Sequence, residues 1–139
     1  MAATAAMRAE VRRIVDEPTT TTYDDDLLDS IIEGYPLLDA LGTEPQDIDY
    51  STTPPTISEA DNWIPTYDLN AAAQNIWSEK AAAVADEFDF SAVGGNYKRS
   101  QKYEDYMKNS RYFGSRRALK SSTVFVYPRP STKESSNAD

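Results

Sequence analysis

The 139-residue chain contains no cysteine and no histidine. These two absences together exclude disulfides, thiolate nucleophiles, Cys/His zinc sites, imidazole general bases and histidine pH switches. Glycine is scarce, and the Gly94-Gly95 pair has neither a preceding strand nor a following Gly-Lys-Ser or Gly-Lys-Thr, so it reads as a helix-helix turn rather than a phosphate loop. No window approaches about 18 apolar residues, and the Met-Ala-Ala-Thr-Ala-Ala start lacks a basic leader followed by an apolar core. Neither membrane insertion nor secretion is signalled, and a soluble protein made in the cytoplasm is expected. Residues 16–61 carry 13 acidic side chains and no basic one, whereas residues 96–120 carry 8 basic and 2 acidic. The net charge of −9 is therefore strongly polarised along the chain. Two readings follow: the halves attract each other within one fold, or the acidic part of one copy meets the basic part of the next in a head-to-tail contact able to close a ring.

The remaining residues pattern mostly as helices. Met7, Val11, Ile14 and Val15 lie at helical spacing within residues 4–16, and Pro18 stops the run. A second helix is predicted from about Asp24 to Gly34, with Thr22 and Asp25 as a capping-box-like start and a stripe of Leu27, Leu28, Ile31, Ile32 and Tyr35. Residues 39–65 form a long acidic, Pro-rich stretch without periodicity, predicted as an irregular loop. A third helix is expected from Asp68, as N-cap, to about Phe88, with Leu69, Ala73, Ile76, Trp77, Val84 and Phe88 on one side and many alanines giving propensity and thinness. The fourth spans roughly Tyr97 to Ala118. Tyr103, Tyr106, Met107, Ser110 and Phe113 are expected to face inward, with Lys102, Lys108, Arg111, Arg116 and Arg117 outside. Thr123, Val124, Phe125, Val126 and Tyr127 then make a β-prone run with no obvious internal partner, suited to docking on another protein.

The fold class expected is all-α, a bundle of about four helices with long irregular loops and an extended C-terminal tail. Residues 1–120 form the helical domain and 121–139 the tail. Its core is predicted at Leu28, Ile31, Ile32, Ile76, Trp77, Val84, Phe88, Tyr106 and Phe113. No catalytic set, cofactor site or metal site is read. Asp24, Asp25 and Asp26 lack the alternating ligands and glycine of a calcium loop and suit a helix N-terminus instead. Glu79 and Lys80, one apart, point to different sides of their helix and read as solvated. The tyrosines and arginines of residues 97–117 could touch nucleic acid through phosphate contacts and stacking, although a dedicated binder is usually net basic.

Six segments carry a resemblance. Trp63-Ile-Pro-Thr-Tyr-Asp-Leu-Asn-Ala-Ala-Ala, Ile76-Trp77-Ser-Glu-Lys-Ala-Ala-Ala, Phe88-Asp-Phe-Ser and Arg99-Ser-Gln-Lys-Tyr-Glu follow Val11-Arg-Arg-Ile-Val-Asp-Glu-Pro and Tyr23-Asp-Asp-Asp-Leu-Leu in order. Over about residues 7–118 the chain resembles the helical adaptor proteins of tailed bacteriophages, also called head-tail connector or head-completion proteins. The acidic insert from Asp39 to Asp61 departs from that pattern. The resemblance implies a structural, non-enzymatic virion protein at the portal vertex, a homo-oligomeric ring commonly of about twelve copies. Such a ring sits below the portal protein, extends the DNA channel without sequence-specific recognition, and offers a platform for the next neck or tail component. It also implies that Thr123–Tyr127 dock on the portal, and Arg99, Lys102, Lys108, Arg111, Arg116 and Arg117 are assigned to a subunit interface. The alternative reading is a DNA-binding or packaging accessory protein.

Overall fold

The computed structural model describes residues 2–88 and 97–118, with side chains described for 2–85 and 101–118. The order is α1 (Ala5–Ile14), α2 (Asp25–Glu33), β1 (Gln46–Asp49), β2 (Thr56–Glu59), α3 (Leu69–Phe88) and α4 (Tyr97–Ser115). The architecture is mostly helical but not all-α. Within the stretch predicted as an irregular loop, β1 and β2 pair antiparallel with Ile48 opposite Ile57 and Asp49 opposite Thr56. Each strand is only four residues long and wholly exposed, so no buried face imprints a period-two pattern on its sequence.

The two N-terminal helices start on side-chain caps. Thr4 Oγ1 accepts from Met7 N at 3.3 Å, and Asp24 Oδ1 accepts from Leu27 N at 2.8 Å. The cap of α2 is thus Asp24 and not Thr22, because a carboxylate on the residue directly before the first helical turn reaches the free N–H group. Met7, Val11 and Val15 on α1, with Leu28 and Ile32 on α2, turn the predicted stripes inward, whereas Leu27, also expected on the α2 stripe, lies at its edge and is exposed. Val11, Val15, Leu28 and Ile32 lose all solvent contact.

The strut against which both helices pack is α3. Ala72, Ala73, Ile76 and Trp77 are buried on it and join Tyr23, Trp63 and Tyr67 in one core. Val84 is buried as well, and Ile31 packs at the core's margin. The most extensive helix pairing is α3 with α4, where small side chains allow close approach. Ser110 Oγ lies 2.8 Å from Ser78 Oγ and 3.3 Å from the Gln74 carbonyl, while a Cβ on Gly114 would stand 2.7 Å from Gln74 Nε2. Tyr106 and Phe113 are half-buried against the core. Tyr103, predicted inward, is exposed, since only the stripe through Tyr106, Ser110 and Phe113 faces α3. The side chain of Phe88, the Gly94-Gly95 turn and Thr123–Tyr127 lie outside the described residues.

Asp68 closes the body. Its Oδ1 caps α3 by accepting from Ala71 N at 3.0 Å, its Oδ2 accepts from Ala118 N at 2.9 Å, and its own N–H donates to the Tyr35 carbonyl at 2.8 Å. One buried carboxylate thereby ties the start of α3 to the end of α4.

Candidate functional site

The described ion pairs separate charges used within the fold from charges left outside it. At the C-terminus of α1, Lys80 Nζ donates to the Val15 carbonyl at 2.6 Å, pairs with Glu17 at 2.7 Å and lies 4.8 Å from the Trp77 ring centre. Trp77 Nε1 donates to the Ile14 carbonyl at 3.3 Å. A cation and an indole N–H from α3 thus satisfy carbonyls that end α1, where the helix dipole is negative. Lys80 is therefore not the solvated residue predicted, and Glu79 accepts the Tyr23 hydroxyl at 3.1 Å. Arg8 binds Asp29 and Arg12 binds Asp25, each at 2.8 Å, fastening α1 to α2. The Arg12 bond holds the Asp25 carboxyl below its ordinary range.

None of the described ion pairs involves α4. Lys102 and Arg116 sit over Tyr106 and Tyr112 of their own helix, and Arg117 sits over Tyr35 and donates to Gln74 Oε1 at 3.2 Å. Lys108 and Arg111 are exposed and belong to no ion pair among the described residues. The side chain of Arg99 lies outside the described residues. Lys108, Arg111 and Tyr112 are spaced three and four apart and so share one outward stripe that continues to Arg116. Beside this stripe runs an open groove of 710 Å³, with Ile14, Leu37, Leu69 and Phe113 among its lining residues.

The complementary charge lies on the insert. Its base is anchored: the buried Asp39 carboxylate accepts from Leu41 N and Thr43 N at 2.8 Å and from Ile64 N at 3.1 Å. Those backbone donors, Thr43 first, hold its carboxyl below the usual range. Trp63 Nε1 donates to the Leu37 carbonyl at 2.9 Å, and Ala60 N to the Pro45 carbonyl at 3.2 Å. Beyond this base the hairpin packs against no helix, and all eight strand residues are exposed. Glu44, Asp47, Asp49 and Asp61 make no described ion pair. Leu38, Leu41, Ile48, Tyr50, Ile57 and Ile64 are all exposed, so among the described residues most of the large apolar side chains left in water belong to this one segment.

The hairpin was not legible as a site in the sequence, which shows an acidic, Pro-rich stretch. Among the described residues no group of three or more metal-ligating side chains is assembled, and no helix is long and apolar enough to cross a membrane. Asp24 caps a helix and Asp25 binds Arg12. Comparison with protein-family models, with curated proteins and with solved structures yields no significant match.

Proposed function

We propose that the chain is a structural, non-catalytic subunit of a tailed-bacteriophage neck, a head-tail connector that forms a ring below the portal protein. The ring extends the DNA channel and carries the next neck or tail component. The observation that carries this reading is the division of charge: the described ion pairs use neither Asp47 and Asp49 of the hairpin nor Lys108 and Arg111 of α4. Surfaces of opposite sign, each with exposed apolar side chains, lie on different parts of one small body, which is what a heterologous, ring-closing contact requires. The resemblance of the ordered helical segments to adaptor proteins supplies the setting, and about twelve copies is the size it suggests.

The test is native mass measurement of the chain with the portal protein, followed by imaging of the neck of the intact particle. A multi-copy ring bound to the portal is the expected result. Monomers in the presence of portal, or a neck without this chain, would overturn the proposal.

A second reading, a DNA-binding or packaging accessory protein, draws on Lys108, Arg111 and Arg116, which no described ion pair takes up. The net charge of −9 opposes it.

A further inference from the structure

We infer that the β1–β2 hairpin is an arm that seats in the groove beside the end of α4 on a second copy of this chain. The inference rests on the ring reading and specifies its contact. A two-stranded hairpin alone in water is marginal, and neither strand of this one packs against a described helix. Its root is nonetheless rigid, held by Asp39, Trp63 and the Ala60–Pro45 bond. A firmly held base under an uncovered arm suits insertion into a partner.

The chemistry of the two surfaces matches. Side chains alternate along a strand, so Asp47 and Asp49 share one face while Ile48 and Ile57, directly opposite each other, occupy the other. Tyr50 follows at the tip, 76% exposed. The receiving surface has the same two characters in complementary sign. From residue 108 to 117 α4 and its end carry Lys108, Arg111, Arg116 and Arg117 and no acid, and the adjoining groove offers Ile14, Leu69 and Phe113, its two acids being engaged already, Glu10 by Arg13 and Asp68 by the Ala71 and Ala118 amides. A finger clasped there would turn its aspartates to the cations and its isoleucines to the apolar wall. The 710 Å³ of the groove accommodates side chains of the tip, Tyr50 foremost. The described body does not bring the two surfaces together, because none of its helices meets either strand. Duplex DNA matches the cations alone and leaves the acidic arm bare.

The absence of cysteine allows a direct test in the full chain. Tyr50→Cys and Tyr112→Cys, both at exposed positions, are made separately and mixed under mild oxidation with glutathione. The expected result is a mixed disulfide dimer more abundant than either symmetric dimer, and a ladder of higher multimers when both substitutions share one chain. Adding Lys108→Glu and Arg111→Glu to the Tyr112→Cys chain should abolish the mixed dimer, and Asp47→Lys with Asp49→Lys in the partner should restore it. Circular dichroism of each variant should retain the helical spectrum.

A mixed dimer no more abundant than the symmetric ones, or indifference to charge reversal, overturns the inference. So does salt-sensitive binding of a duplex DNA probe that Arg111→Glu eliminates while the cysteine pair stays unlinked. The two proposals fail separately. A portal-bound ring without the mixed disulfide rejects the hairpin contact and keeps the connector, whereas the disulfide without portal attachment does the reverse.

Discussion

Trp77 shows how one side chain serves packing and helix termination together. It is 6% exposed, its ring lies 5.3 Å from that of Tyr106, and its indole N–H ends α1. Trp77→Ala should cost about 3–5 kcal/mol, read as a lowered midpoint in urea unfolding. An unchanged midpoint would mean that the residue is not part of the core. Lys80→Ala strands both Glu17 and the Val15 carbonyl, and should cost about 1–3 kcal/mol in the same assay. Asp39 and Tyr23 both contribute to the pH dependence of stability. The folded Asp39 carboxyl lies below its unfolded value, so its contribution is present above about pH 4 and is lost as pH falls through the folded value. Asp39→Asn should flatten that acid loss. Tyr23 is shifted in the opposite sense, upward, first by burial and then by the charge of Glu79. Its stabilising effect holds below the unfolded value of about 10 and declines as pH rises beyond it. Tyr23→Phe should diminish the alkaline decline, measured by urea unfolding at stepped pH.

Among the elements, the four helices were legible because each carries its own start, stripe and stop. Pro18 and Gly34 bound the first two, and Asp68 opens the third. The hairpin was not, since its strands bury nothing and their pairing depends on a long-range register. The second role of Asp68 was equally hidden, because Ala118 is 50 residues away. Asp68→Ala should destabilise the protein by about 1–2 kcal/mol through loss of the cap, with the end of α4 freed as well. Amide exchange at Ala118 would rise if that tether is real. Replacing residues 47–58 by a short Gly-Ser turn should leave helical content and melting temperature nearly unchanged while abolishing self-association. A large drop in melting temperature would show that the arm supports its own body.

In the assembled protein, charge matching predicts a marked dependence on salt. The screening length falls from about 10 Å at 0.1 M to about 3 Å at 1 M salt, so ring formation should weaken across that range. Sedimentation at the two salt concentrations would reveal it, and an indifferent ring would point to apolar contacts alone. Deleting residues 121–139 should preserve the helical spectrum and weaken attachment to the portal. Undiminished portal binding by the shortened chain would assign the attachment elsewhere.

Local pattern was sufficient for helix positions, the apolar stripes of α1–α3 and the polarity of charge along the chain, because caps, breakers and 3.6-residue spacing act between near neighbours. Which charges would be consumed is a different kind of question. The sequence offered an acidic half and a basic half, and charge alone favoured attraction within one fold over contact between copies. Folding pairs α1 with α2 and with the middle of α3, and no described ion pair takes up Asp47 and Asp49 of the hairpin or Lys108 and Arg111 of α4. That partition depends on where distant segments meet in space, and no spacing along the chain encodes it.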